Sequence, residues 1–264
     1  MNSVLTSLRS PHIGRVKALH TSKGRKTANE FLAEGPQAVE AATKSKRFKI
    51  TQMYVTETAL VQFSKLLATD LIVVSEKVMA AMSSVENAQG ILATCAKDAL
   101  PHLNKLTADS NLLIYCHEIN DPGNLGTIIR SAHALGAQGL VLSPGSVDPF
   151  APKVVRASAG SLWHLPFVVN IEFEELISSA QEVDMKSIAM TGSGKSTLKD
   201  FIKVLPKKSV FIFGNEAHGL PIEISKKCDH QVRIPMKAGA ESLNLATSAA
   251  LVIYAASNAL SPIE

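Results

Sequence analysis

Three absences bound what this 264-residue chain can be. Cysteine is scarce: Cys95, Cys116 and Cys228 stand far apart with no C-x-x-C pair, which excludes a disulfide framework and a cysteine metal cluster and fits a reduced compartment. Long apolar runs are missing. The longest, around Ala249–Ala256, falls far short of the roughly 20 residues a spanning helix needs, so a cytoplasmic protein with no membrane partner is expected. Acidic residues are absent before Glu30, although Arg9, Arg15, Lys17, Lys23, Arg25 and Lys26 all lie there. What is present, 46% hydrophobic and 19% charged residues, excludes wholesale disorder and supplies a substantial core.

The net charge of +4 is unevenly placed. Residues 1–106 hold 14 Lys/Arg against 8 Asp/Glu, while the rest hold 13 against 15, so the front is +6 and the back −2. A basic front suits a polyanion such as RNA or DNA, and equally a solvated surface with no partner. An Arg/Ser-rich, acid-free start is also the composition of a transit peptide. The direct continuation into Phe31-Leu-Ala-Glu-Gly35 favours instead an amphipathic helix, with Ile13, Val16 and Leu19 one turn apart, running into a strand.

Pro36 then opens a helix. Ile50–Val55, Leu71–Val74 and Gly90–Cys95 read as strands, with helices at Leu60–Ala68 and Glu76–Met82 between them, an α/β module with nothing catalytic in it. A linker near Ala99–Lys105 puts the boundary between residues 1–104 and 105–264.

The second part opens with the strand Leu112–Cys116 and the loop Asp121-Pro-Gly-Asn-Leu-Gly126. Asn124 is placed to cap the next helix. At 100° per residue the apolar stripe of that helix centres between Ile128 and Ala132, and Arg130 falls roughly opposite. Arg130 therefore points to solvent, a ligand or another subunit. After the strand Gly139–Leu142, Lys153 and Arg156 are one helical turn apart, a spacing that suits one phosphate. The lone Trp163 reads as packing. Thr191-Gly-Ser-Gly-Lys-Ser-Thr197 matches a phosphate-binding P-loop only in part, because the first glycine of that pattern falls on Ala189. The organising stretch is Val210–Ala256, a buried strand and two loops of glycine and small polar residues, the second running into an apolar helix. Open α/β sheets keep ligands in such loops.

Three loops carry a family resemblance. Asn120-Asp-Pro-Gly-Asn-Leu-Gly-Thr-Ile-Ile-Arg-Ser-Ala132, Phe213-Gly-Asn-Glu-Ala-His-Gly-Leu220, and Ile234-Pro-Met to Ser242-Leu-Asn244 resemble motifs one, two and three of the SpoU-type RNA 2′-O-ribose methyltransferases. Ser10-Pro-His-Ile to Phe31-Leu-Ala-Glu-Gly35 is similar to the start of that family's small RNA-binding domain, related to ribosomal protein L30e. The resemblance implies an α/β chain with a small L30e-like N-terminal domain, then an α/β-knot catalytic domain with a deep trefoil knot and a mainly parallel sheet. It implies a homodimer, S-adenosylmethionine as cofactor, and RNA as substrate, ribosomal in preference to transfer RNA.

It also implies roles. Gly214, Ile234 and Leu243 would hold the adenine, with Met236, Thr191 and Gly192 adjoining and Gly219 making the turn. Arg130 would act at the 2′-hydroxyl, as base or as cation. Asn124 would position the ribose or Arg130, Glu216 would organise the loops or orient Arg130, and Ser242 and Asn244 would fix substrate or cofactor. Arg9, Arg15, Lys17, Lys23, Arg25, Lys26, Lys153 and Arg156 are the RNA-binding candidates, and no metal is implied. One departure is mild: Leu245-Ala246 stands where Val-Ser is common. Two other classes remain, a P-loop nucleotide hydrolase using Lys195 and Ser196, and a non-catalytic RNA-binding protein. Binding isotherms separate the first: affinity for S-adenosylmethionine is expected, whereas ATP binding that needs Lys195, with none for S-adenosylmethionine, would identify the hydrolase.

Overall fold

The computed structural model describes residues 4–66, 70–237, 239 and 242–261. The chain forms two compact units, Met1–Ala99 with Asp148–His164, and Leu100–Val147 with Leu165–Glu264. The boundary expected at 104/105 assigns residues 148–164 to the second unit, whereas they pack within the first.

The first unit is built on β1 (Glu30–Glu34), β2 (Ile50–Thr56), β3 (Leu71–Val74) and β4 (Ile91–Ala96). Their order is β1-β4-β2-β3, with β4 antiparallel to both neighbours and β2 parallel to β3. The helix Pro11–Ala18 starts where Ser10 accepts a hydrogen bond from the His12 N–H, and Pro11 needs no donor there. Its Ile13 and Val16, with Leu19, join Leu32, Tyr54, Val78 and Leu92 in one apolar cluster. Of the helix expected at Leu60–Ala68, the structure shows Glu57–Gln62 and a 3-10 turn at Ser64–Leu66; the end lies outside the described residues.

Successive residues of a strand face opposite ways, so Leu32 enters that cluster and Phe31 faces another. Phe31 meets Phe48, Phe150 and Trp163 at ring-centroid distances of 5.5, 4.8 and 5.6 Å. Phe150 and Trp163 belong to the 148–164 segment, whose helix Pro152–Ala157 packs on β1. A buried ion pair fixes the same segment. Arg25, 3% exposed, donates from Nε and Nη2 to Asp148 Oδ2 at 2.9 and 2.6 Å, and from Nη1 to the carbonyls of Leu19 and His20.

Three of the residues expected at an RNA surface are therefore committed elsewhere. Arg25 is consumed inside the unit. Arg156 donates to Glu34 at 3.2 Å and to Ser84, whose hydroxyl and N–H also bond Glu34. Arg15 pairs with the nearly buried Glu30 at 2.6 Å. Arg9, Lys17, Lys23, Lys26 and Lys153 are exposed.

In the second unit, β5 (Leu112–Cys116), β6 (Gly139–Leu142), β7 (Phe167–Val168), β8 (Lys186–Met190), β9 (Ser196–Thr197), β10 (Ser209–Phe213) and β11 (His230–Arg233) form one sheet. The order is β7-β6-β5-β10-β8-β11-β9, and every pairing among the described residues is parallel. Helices cover both faces, which is why β5 and β10 are buried throughout and read as continuous apolar runs. The chain runs from β5 outward to β6 and β7, then returns beyond β10 to β8. The strand order thus reverses between β5 and β10, the place where parallel sheets open a crevice at their carboxyl ends.

Removing one partner of a buried ion pair leaves the other charge uncompensated, so Arg25→Ala is expected to destabilise the first unit by about 3 kcal/mol. Trp163 is the one tryptophan of the chain and is 1% exposed, so its fluorescence reports the loss directly. The red shift of emission should come at lower denaturant in the variant; an unchanged midpoint would contradict this account.

Candidate functional site

Four chain segments leave the carboxyl ends of β5, β8, β10 and β11 and surround a cavity of about 420 Å³. Its walls include Thr191 and Gly192 after β8, Gly214, Glu216 and Gly219 after β10, Ile234, Met236, Ser242, Leu243 and Asn244 after β11, and Asn124 after β5. Residues 238, 240 and 241 of the last loop lie outside the described residues. Every residue expected to hold the cofactor lines this cavity, as do Asn124, Glu216, Ser242 and Asn244. Arg130 does not. Asn215, Leu220 and Ser248 also line it and were missed, since none has a side chain that marks it out in the sequence.

The loops are tied to one another by side chains. Asn124 donates from Nδ2 to Glu216 at 3.2 Å, and its Oδ1 accepts from Asn244 Nδ2 at 2.9 Å. Asn124 is thus not the helix cap expected from sequence. Asp121 caps the helix Pro122–Ala134, its carboxylate accepting from the Asn124 N–H at 2.7 Å. Proline at the first helical position was the signal that placed the cap one residue before it. Asn244 does cap its own helix, Leu245–Leu260, through the Thr247 N–H.

Glu216 collects the first loop. It accepts from the backbone N–H groups of Asn120 and Asp121 at 3.2 and 3.1 Å as well as from Asn124. Partial burial pushes its pKa up, but these bonds and one from its own N–H outweigh that, and the carboxyl is held below its ordinary value. The turn that presents it closes by an Asn215–Gly219 backbone pair. A Cβ on Gly214 would stand 2.1 Å from the Gly219 carbonyl carbon, so glycine is required there for the loop to fold back on itself.

The P-loop-like segment folds in a way that excludes a phosphate cradle. Ser196 and Thr197, which would open a helix in a P-loop, form β9. The carbonyls of Gly194 and Lys195 point to Arg233 Nη1, at 2.6 and 3.3 Å. The same clamp holds Thr191 and Gly192 against the cavity, and Thr191 N–H bonds the Val232 carbonyl at 3.0 Å.

The helix projection places Arg130 correctly. Leu125, Ile128, Ile129 and Ala132 are buried, while Thr127, Arg130 and Ala134 are exposed. Arg130 has no hydrogen-bond or ion-pair partner among the described residues.

Comparison with known proteins identifies the family. Residues 111–254 match the SpoU rRNA Methylase family, and residues 10–93 match the MRM3-like substrate binding domain. The chain belongs to the SpoU rRNA methylase family. It is an RNA methyltransferase. An uncharacterized tRNA/rRNA methyltransferase of Synechocystis is 32% identical over 96% of this chain and 92% of its own length. The 23S rRNA (guanosine(2553)-2′-O)-methyltransferase of Bacillus subtilis is 32% identical over 90% and 92%. The AdoMet-bound rRNA methyltransferase of Sinorhizobium meliloti superimposes with a TM-score of 0.84, at 28% identity, over 96% of this chain and 97% of that one. The cavity suits such a cofactor. Its volume lies within the roughly 300–1,000 Å³ of small-molecule sites, and Met236 and Leu243 present apolar side chains that a ligand would cover.

The lowered pKa of Glu216 fixes the sign of a pH dependence. A carboxyl with a depressed folded pKa stabilises the fold above its unfolded value and loses that contribution as pH falls through the folded one. Glu216→Gln should cost roughly 1 kcal/mol at neutral pH after solvent screening. The gap between the two proteins in denaturant titrations should narrow below about pH 4. A gap that is constant with pH would show that the charge is not what holds the loops.

Proposed function

We propose that this cavity binds S-adenosylmethionine and that the protein, a cytoplasmic homodimer, methylates a ribose 2′-hydroxyl of 23S-type ribosomal RNA. The observation that carries the reading is Asn124, whose amide joins Glu216 and Asn244 at the cavity and so sets three loops at once. The Bacillus relative's activity, 2′-O-methylation of 23S rRNA, supports the choice of substrate. In this reading the last helix, Leu245–Leu260, is the one threaded through the family's trefoil knot.

The cofactor supplies a methyl group on a sulfonium, an electrophile that needs no metal. Backbone groups at Gly214, Ile234 and Leu243 would hold its adenine, with Met236, Thr191, Gly192 and Gly219 completing the pocket. Arg233 keeps the Thr191–Gly192 wall in place by holding the next two carbonyls. Ser242 and Asn244 fix the substrate, and Glu216, ionised, keeps Asn124 oriented. As the 2′-oxygen bonds the methyl carbon, the carbon–sulfur bond would break to leave a neutral thioether and the hydroxyl proton would pass to solvent water, so a positive charge beside the oxygen lowers the barrier. Arginine stays protonated in proteins, and Arg130 supplies that charge as a cation rather than taking the proton as a base.

Arg130 is absent from its own cavity wall, and in this reading it enters the cavity of a second copy. The last helix packs beside the Arg130 helix and leaves Leu251 44% and Tyr254 55% exposed, an apolar stripe suited to such a partner. The first unit, resembling an L30e-type module, holds RNA through Arg9, Lys17, Lys23, Lys26 and Lys153.

Two measurements test the proposal. Mapping 2′-O-methyl positions in total RNA with and without the protein should reveal one site lost from 23S rRNA; loss from a transfer RNA would overturn the substrate. Asn124→Ala and Arg130→Ala should each lose about 100-fold in activity. Mixed dimers of the two inactive chains contain one intact site if Arg130 acts across the interface, and should recover activity. Failure of mixed dimers to recover would place Arg130 in its own subunit's site.

A further inference from the structure

The segment from Lys195 to Lys208 holds five lysines and one acidic residue, Asp200, in a half of the chain whose net charge is negative. Its structure spends that acid internally. Asp200 Oδ2 accepts from the Thr197 hydroxyl at 2.7 Å, closing the cap of the helix Leu198–Phe201, and its Oδ1 pairs with Lys203 at 3.1 Å. Lys208 donates to the Ala108 carbonyl at 3.0 Å. Lys195, Lys199 and Lys207 remain, all exposed, with no side-chain hydrogen-bond or ion-pair partner among the described residues. Elsewhere on this unit Lys186 is matched by Asp184 and Lys227 by Glu174.

Position gives these three charges a use. The segment starts at β9, the outermost strand beside β11, directly after the loop whose Thr191 and Gly192 line the cavity, and ends with Lys207 two residues before β10, at the amino end of the sheet. Arg233 pins that loop through the Gly194 and Lys195 carbonyls, so the Lys195 backbone is fixed at the rim while its ammonium projects outward.

We propose that this segment is a track for the phosphate backbone of the substrate RNA, running from the cavity toward the amino end of the sheet and carrying the nucleotides that flank the one presented to the cavity. The inference rests on the reading of the protein as an RNA methyltransferase. Lysine ammonium groups on flexible stems hold phosphates as point charges and read no base edge. The track therefore contributes affinity and register, with the choice of nucleotide made elsewhere.

The test is charge reversal of Lys195, Lys199 and Lys207 together, against a control with Lys105 and Lys226 reversed. Neutralised phosphates make binding salt-dependent by about 0.7 per contact on single-stranded RNA, so losing three should reduce the slope of log affinity against log salt by about 2. At a fixed moderate salt the RNA Kd and KM should rise about tenfold or more, while kcat at saturating RNA and the Kd for S-adenosylmethionine stay unchanged. Lys→Gln at the same three positions should give the same direction with a smaller size. An unchanged salt slope and KM, in a protein that still methylates RNA, would overturn the track and leave the RNA methyltransferase reading intact. A loss equal to that of the control variant would overturn it too, as an effect of net charge alone. A wild-type protein that binds S-adenosylmethionine and transfers no methyl to any RNA would overturn the underlying reading and this inference with it.

Discussion

One amide holds the candidate site together. Asn124 has a donor and an acceptor on the same planar group, and it gives one to the loop after β10 and the other to the loop after β11. Such an amide cannot turn to improve one bond without losing the other. Its position is therefore a joint constraint on three strands' ends, and it depends on the helix start being satisfied by something else. Asp121 meets that need, and Pro122 removes a further donor. Glu216 then closes the circuit by taking two backbone N–H groups from the same first loop. The reversal of strand order between β5 and β10 makes the crevice; these bonds give it walls of fixed shape.

Much of this was legible in the sequence for physical reasons. Strands buried on both faces must be apolar throughout, so Leu112–Cys116 and Val210–Phe213 declared themselves, and the structure extends the latter by one residue to Ser209. The helical angle alone located Arg130 on the exposed side. Loops of glycine and small polar residues after buried strands marked the cavity, and the family's motifs named its lining. The structure changed the reason for one of them: glycine at 214 is demanded first by its own loop folding back, before any ligand is considered.

What was not legible depended on which surface an apolar face meets. Val154 and Val155 are buried, but nothing local in the sequence says that their helix packs on β1, more than a hundred residues earlier. The partner becomes visible only when Phe150 and Trp163 are seen against Phe31 and Phe48. The P-loop-like stretch failed for a related reason. A phosphate cradle needs backbone N–H groups turned inward, and here a distant residue, Arg233, draws the carbonyls of Gly194 and Lys195 to itself.

Charge shows the same limit most sharply. The front of the chain is the more basic by count, yet Arg15, Arg25 and Arg156 each meet a carboxylate within their own unit. A buried or bidentate guanidinium contributes little field outside, because its partner's charge travels with it. The back is net negative, yet its Lys195, Lys199 and Lys207 have no ion-pair partner among the described residues. A polyanion responds to the unpaired charges it can approach and, beyond a screening length of about 8 Å, to little else. Net charge per half is thus a poor guide to where RNA lies, and the count of unpartnered exposed cations is the better one. By that measure both units present a basic surface, and that of the second begins next to the loop that lines the cavity.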